Sequence, residues 1–428
     1  MHQSNSKKKH FAELPDFVKD VQLPTESLLY SISPLYLPPV EDIEQEVRRA
    51  LSEPIGCEAL DRLINSDSKI LIIADDLTRP TPHKLVLPPL LDYLEECGAR
   101  CDHIEILIAL GTHRPMTAEE IEGHFGREVV SKVKVSNHEF KDPSMVLEYG
   151  RTSDGTPITV NRRLAESDFA IGLSSIVPHA QVGWGGGCKI VLPGISGEQT
   201  VEAMHMMAAR MPDYPRFAGQ VENPVRDLIE EVATKAGLRF IMNVIFNSRY
   251  EVVQLVAGDP VKAHRAGVAV ARDVFIRKIP AAADVVICNA HPADLEYWQG
   301  LKPVTLAGLG LKEGGIIILY GAFPDGISQS HKEVEMYGAL DKEELDQLAA
   351  SGTLSNGLFL GALYQHVLVR DRAEVYCVSP GLSSEQKKAL GFSHYVTIQE
   401  ALEAALAKLG PQAKIGIIDQ GGEVVPQL

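Results

Sequence analysis

No stretch of about 18 consecutive apolar residues occurs in the chain, so no membrane-spanning helix is expected. The start, MHQSNSKKKH, has basic residues with no apolar segment behind them; it reads as a loose tail rather than a signal peptide. Positive charge is in deficit, with 41 Lys and Arg against 57 Asp and Glu and a formal net charge of −16. An acidic surface repels phosphate backbones and anionic membranes, so neither nucleic acid nor membrane is an expected partner. Cysteine is sparse: the closest of the six, Cys97 and Cys101, miss the CxxC spacing of zinc and redox sites. Reduced thiols and a cytoplasmic location are the reading.

What is present is ordinary globular material. With 45% hydrophobic and 23% charged residues, the 428-residue chain can bury a core without staples, and its length calls for more than one domain. Short β-branched runs at 69–74, 103–109, 169–173, 239–246, 285–289, 315–320, 374–378 and 415–418 alternate with helical patterns. That alternation predicts an α/β fold of two domains with mostly parallel sheets. Helices are expected over 83–97, 117–124, 198–209, 224–237 and 260–276. Thr117 with Glu120 forms a capping box, Gly237 and Gly310 mark helix stops, and 145–160 forms a hairpin. The switch to Pro280 and an alanine run places a boundary near 272–283, giving an N-terminal domain 1–272, completed by 411–428, and a C-terminal domain 273–410.

Chemistry concentrates at strand ends, where open α/β sheets bind ligands. DDLTRPTP (75–82) crowds two carboxylates, a guanidinium and two hydroxyls into a proline-stiffened loop. Such a loop either orients an anionic ligand through a bidentate Arg or simply caps a helix. GTHRP (111–115) offers His113 as an acid/base group, a metal ligand or a structural residue. PHAQVGWGGGCKIVLPG (178–194) brings His179, four glycines in five positions and Lys189 together. A phosphate-binding P-loop starting at Gly183 fails, because Cys188 stands where its last glycine should be and Ile190 where its hydroxyl should be. Lys189 is then either a covalent attachment point or a solvated side chain. His205, on the next helix, is either a metal ligand or a partly buried histidine among methionines. His291 and the segment WQGLK (298–302) are further candidates for lining an interdomain cleft. The remaining histidines, His83, His124, His138 and His264 among them, read as structural or solvated.

Taken together, DDLTRPTP, GTHRP, PHAQVGWGGGCKIVLPG, the downstream His205 and WQGLK resemble the nickel-pincer lactate racemase family in order and spacing. The resemblance implies a racemase or epimerase of 2-hydroxy acids, working in a cleft between two domains. Its cofactor would be nickel in a pincer nucleotide, pyridinium-3-thioamide-5-thiocarboxylic acid mononucleotide, joined covalently to Lys189. His205 would be the protein ligand on nickel, and His113 and His179 the acid/base pair on opposite faces of the substrate. Asp76, Thr78, Gly185, Gly186 and Gly187 would surround the cofactor. Arg79, Gln299 and Lys302 would hold the substrate carboxylate. The partners implied are a small 2-hydroxy acid and the enzymes that synthesise the cofactor.

The chemistry is coherent with those roles. An α-hydroxy acid has no acidic α-proton, so hydride leaves more easily once the hydroxyl is deprotonated, and one histidine per face serves both enantiomers. A glycine loop would offer backbone N–H groups to the cofactor phosphate. In an acidic protein the cations must be gathered locally, and the expected gathering is Arg79, Arg114, Lys189 and Lys302. Trp184 and Trp298 would add an aromatic wall favouring a substrate larger than lactate. Two other readings use the same residues: a zinc hydrolase with His113, His179 and His205 as ligands, and a non-catalytic carboxylate-binding protein.

Overall fold

The computed structural model describes residues 15–23, 25–211, 217–329, 331–354 and 356–428. The tail expected at 1–10 lies outside the described residues. Along the chain the strands are β1 (Leu28–Ile32), β2 (Ile70–Asp75), β3 (Ile104–Ala109), β4 (Lys134–Asn137), β5 (Val146–Arg151), β6 (Pro157–Asn161), β7 (Phe169–Ser175), β8 (Pro178–His179), β9 (Gly183–Trp184), β10 (Phe240–Phe246) and β11 (Val252–Gly258). They continue as β12 (Ile276–Lys278), β13 (Ala283–Asn289), β14 (Leu311–Tyr320), β15 (Ala373–Val378), β16 (Ser393–Tyr395), β17 (Ile415–Ile418) and β18 (Val425–Gln427). The fold is α/β, and the chain divides into a larger unit, 35–275 with 352–362, and a smaller one holding the rest of the described residues.

The larger unit is built on a six-stranded sheet in the order β11-β10-β7-β2-β3-β4, parallel except for β11. Every residue of β2, β7 and β10 is buried. Their largely apolar runs are what a sheet covered on both faces requires, each large buried apolar side chain contributing roughly 1.5–3 kcal/mol. The chain runs from β2 through β3 to β4 on one side, then returns to place β7 on the other side of β2. The carboxyl ends of β2 and β7 therefore flank a topological switch point. The expected hairpin is β5 and β6, paired antiparallel. Thr117 and Glu120 form the expected capping box, and Gly237 ends the helix Pro224–Ala236 in a left-handed conformation.

The smaller unit carries a wholly parallel sheet, β1-β17-β13-β14-β15-β16. Here the expected domain division is corrected. Residues 411–428 do not complete the larger unit, because β17 lies between β1 and β13 and spends its backbone groups on those two neighbours. Side-chain fit reinforces the placement: Gly416 faces the Tyr30 ring, where a Cβ would lie 2.1 Å from Tyr30 Cζ. Tyr30 in turn donates to the Gly310 carbonyl at 2.8 Å. Among the described residues no helix is long and apolar enough to cross a membrane.

Candidate active site

The loop after β2 is organised by its own two carboxylates. Asp75 accepts from Thr81 Oγ1 at 2.8 Å and from His83 Nε2 at 2.7 Å, and its backbone carbonyl accepts from His124 Nε2 at 3.2 Å. Thr81 also meets Ser175 at the end of β7, 3.0 Å away. Burial beside His83 pushes His124 down to about 4, so it is a neutral donor at physiological pH. His83 and His124, read from sequence as structural or solvated, are thus supports that fix the loop.

Asp76 then turns toward the end of β3. Its Oδ1 accepts from the Thr78 hydroxyl at 2.6 Å and from the Thr78 amide at 3.1 Å, and its Oδ2 meets His113 Nδ1 at 2.6 Å. Burial alone would raise this carboxyl; His113, Arg79 and the Thr78 hydroxyl outweigh it and hold it well below the usual carboxylate range. An ionised carboxylate only accepts, so Nδ1 of His113 carries the proton of that hydrogen bond. Arg79 lies on the same loop, half-buried, donating to the Thr78 carbonyl and hydroxyl at 3.1 Å each. Arg114, two residues further along the segment after β3 than Thr112, forms a bidentate pair with Glu120 at 2.7 and 2.8 Å.

The segment after β7 departs most from expectation. Two of its glycine amides are engaged within the protein. The Gly185 amide donates to the Val177 carbonyl at 2.6 Å and the Gly187 amide to Asn243 Oδ1 at 2.8 Å, so neither is available to a phosphate. Gly183 sits at φ +78°, and a Cβ there would lie 1.7 Å from the Gln220 carbonyl oxygen. Gly185, Gly186 and Gly187 are all buried. Trp184 is wholly buried too and Trp298 is 9% exposed, so the expected aromatic wall is not formed by Trp184, which is core. His179 and Lys189 are half-buried, as is Pro193. The Gln181 amide donates to His179 Nδ1 at 3.3 Å, which makes Nε2 the proton-bearing atom of that neutral ring.

His205 sits two turns into the helix Glu198–Arg210, whose start is anchored on β6 by the Gly197 amide to Thr159 at 2.8 Å and by Thr200 Oγ1 to Pro157 at 2.8 Å. Its Nδ1 bonds to the Val201 carbonyl at 2.9 Å, one turn back. Burial, with the charge of Lys189 adding to it, brings the imidazole down to about 4. A neutral ring with Nδ1–H committed to a carbonyl has its Nε2 lone pair oriented for a metal, the usual arrangement of a ligating histidine. A metal that takes imidazole ligands, such as zinc, copper, iron or nickel, fits the donor present. The three-histidine zinc site does not: among the described residues the one group whose donor atoms lie within 4.8 Å of one another is Asp75, His83 and His124. That trio is already accounted for by the hydrogen bonds around Asp75.

Gln299 and Lys302 belong to the smaller unit. They lie half-buried at the start of the helix Tyr297–Gly308, which follows β13. In this sheet the chain passes from β13 to β14 on one side and later places β17 on the other, so the helix starts at the unit's own switch point. His291, in the connecting loop, pairs with Asp294 at 3.3 Å, and that hydrogen bond raises its pKa. Sequence reasoning missed Arg226, Asn243 and His264, all buried beneath the glycine segment. A helix start at Asn223-Pro224 was the one local sign that Arg226 lies in a first turn.

Comparison with known proteins follows the same lines. Residues 16–214 match the lactate racemase N-terminal domain. The chain is 29% identical over 391 residues to the lactate racemase of Thermoanaerobacterium thermosaccharolyticum, covering 89% of this chain and 90% of that protein. It is 30% identical over 395 residues to the lactate racemase of Lactiplantibacillus plantarum, with 89% and 91% covered. The lactate racemase apoprotein structure from T. thermosaccharolyticum superposes with a TM-score of 0.86 at 27% identity, over 95% of this chain and 97% of that one. A Thermotoga maritima protein at 22% identity shares the fold, with a TM-score of 0.72 over 92% and 100% of the two chains.

Proposed function

The chain belongs to the lactate racemase family, a family of isomerases, and on that premise we propose that it inverts the C2 centre of a 2-hydroxy acid, lactate or a larger relative, with a nickel-pincer nucleotide tethered to Lys189. The observation that carries the reading is the Asp76–His113 pair at 2.6 Å, whose carboxylate is held ionised in a buried setting. A charged Asp76 fixes the His113 tautomer, leaves Nε2 to take the substrate hydroxyl proton, and stabilises the imidazolium that results. His179 is assigned to the opposite face; its Nδ1 accepts from the Gln181 amide, so it would return a proton to the substrate only after its own ring has taken one up. When bound, the cofactor supplies the hydride-accepting capacity that no side chain here possesses.

Arg79, Gln299 and Lys302 are assigned to the substrate carboxylate, and Asp76 and Thr78 to the cofactor's surroundings. Gly185, Gly186 and Gly187 are assigned to holding Lys189 in place rather than to cofactor contact. His205 is the metal ligand in this reading. The six cysteines, none in a disulfide, support a cytoplasmic enzyme that meets its cofactor-synthesis partners there.

Intact-mass measurement of protein made together with the cofactor-synthesis enzymes tests the tether. An adduct should appear on the wild type and vanish in Lys189→Ala; an unmodified but fully active chain would refute the reading. Loss of optical purity across a panel of single-enantiomer 2-hydroxy acids then identifies the substrate. Tight binding of such acids with no loss of chirality would instead favour a carboxylate-binding protein.

A further inference from the structure

We infer that Arg226 and His264 are positioning residues that clamp the glycine segment from beneath and thereby aim Lys189; the inference rests on Lys189 being the attachment point. Five consecutive carbonyls, from Val182 to Gly186, accept hydrogen bonds from donors below them. Arg226 supplies three: its Nη2 donates to Val182 at 3.3 Å and to Trp184, and its Nη1 donates to Gly186 at 3.4 Å. The Gly219 amide donates to Gly183 at 3.0 Å. His264 Nε2 donates to Gly185 at 2.9 Å.

The His264 donor is fixed by a relay. Glu230 accepts both Nη atoms of Arg265 at 2.7 and 3.1 Å, and Arg265 Nη1 meets His264 Nδ1 at 3.2 Å, so Nδ1 accepts and Nε2 carries the proton. Arg226 is 1% exposed and bonds directly to carbonyls rather than to a carboxylate. A guanidinium is the one side chain that can reach several carbonyls at once from a rigid planar fork, and burial of its charge is offset by those dipoles together with the nearby charge of Glu230. The link to Lys189 is direct. The Gly186 carbonyl that takes Arg226 Nη1 also takes the Lys189 amide, at 3.3 Å. The Gly187 backbone sits against the His264 ring, where a Cβ would lie 2.8 Å from Cγ. Moving either clamp residue therefore moves the root of the Lys189 side chain.

Hydrogen exchange on full-length Arg226→Met, His264→Leu and His264→Gln decides the matter without any cofactor. Amides of 182–189 should exchange ~10–100-fold faster in Arg226→Met and His264→Leu, the loss expected for charge-assisted and buried hydrogen bonds, while β7 and β10 keep wild-type rates. Gln can still donate to the Gly185 carbonyl, so His264→Gln should restore most of the protection. The rate at which an amine-reactive reagent labels Lys189, mapped by peptide mass, should change in the same order. In cofactor-loaded protein the Met and Leu variants should lose kcat by up to about 10²-fold with KM little changed, the pattern of a misplaced reacting group. Wild-type exchange and labelling in both variants would overturn the clamp; if Arg226→Met does not fold, His264→Leu against His264→Gln carries the test. A wild type that takes no adduct would defeat the proposed function and leave the exchange comparison standing.

Discussion

Asp76 shows how much one residue can decide. Its carboxylate sets a tautomer on His113, and the direction of its pKa states that the charge persists through the physiological range. Asp76→Asn keeps the shape but lets Nδ1 lose its acceptor. Racemisation should fall by about 10²–10⁴-fold with the circular dichroism spectrum unchanged, which a polarimetric assay of the loaded enzyme measures. His205 carries a second residue-scale expectation. If it is the metal ligand proposed above, its pKa near 4 would keep it unprotonated well into mild acid, so metal retention should be flat from pH 8 to about 5 and fall only as pH approaches 4. Metal content after dialysis at stepped pH checks this. Retention falling away near 6.5, where an ordinary histidine titrates, would contradict the burial that the structure gives His205.

At the scale of elements, the strands with unbroken apolar runs were legible in the sequence because both of their faces are buried. The short edge strands β4 and β16 were not, since edge positions leave little hydrophobic pattern. The candidate site was legible only in part. Asp76, Arg79, His113, His179, Lys189 and His205 stand out because polar groups interrupt apolar runs at strand and helix ends. The packing of the glycines was not legible, because a string of glycines looks alike whether it approaches a ligand or its own protein. Gly183 separates the two: a methyl group there would strike the Gln220 carbonyl in a left-handed backbone. Gly183→Ala should therefore cost roughly 1–3 kcal/mol of stability through overpacking, read as a lower melting midpoint. A midpoint equal to wild type would mean that the segment is loose enough to shift aside.

The whole molecule bears two expectations. His138 and His366, both deeply buried, titrate near 4 in the folded chain against about 6.5 when unfolded, in each case because burial disfavours the charged ring. Above pH 6.5 both states are neutral and stability does not depend on them. Between 6.5 and 4 the unfolded chain binds protons that the folded one refuses, so stability falls by at most about 1.4 kcal/mol per pH unit for each such histidine. Urea midpoints measured across that window, with His138→Asn as the control, should show the slope and its partial relief. Removal of 411–428 is the second case. It takes out β17, an interior strand of the smaller sheet, so exchange protection should collapse in β1 and β13 while β2 and β3 keep theirs.

By itself the sequence determined the local chemistry: which segments bury both faces, where helices cap and stop, and which polar groups stand at strand ends. Those properties depend on neighbours within a few residues, and composition and spacing record them directly. Tertiary structure decided the rest. It sent β17 to the sheet of the smaller unit, paired Arg114 with Glu120, and turned His83, His124, Arg226 and His264 into supports. Each of these outcomes is a pairing across tens to hundreds of residues, set by strand order and by which buried donor finds which acceptor. Such pairings leave no periodic mark in the chain, because a buried polar group is specified by its partner and not by its place in the sequence.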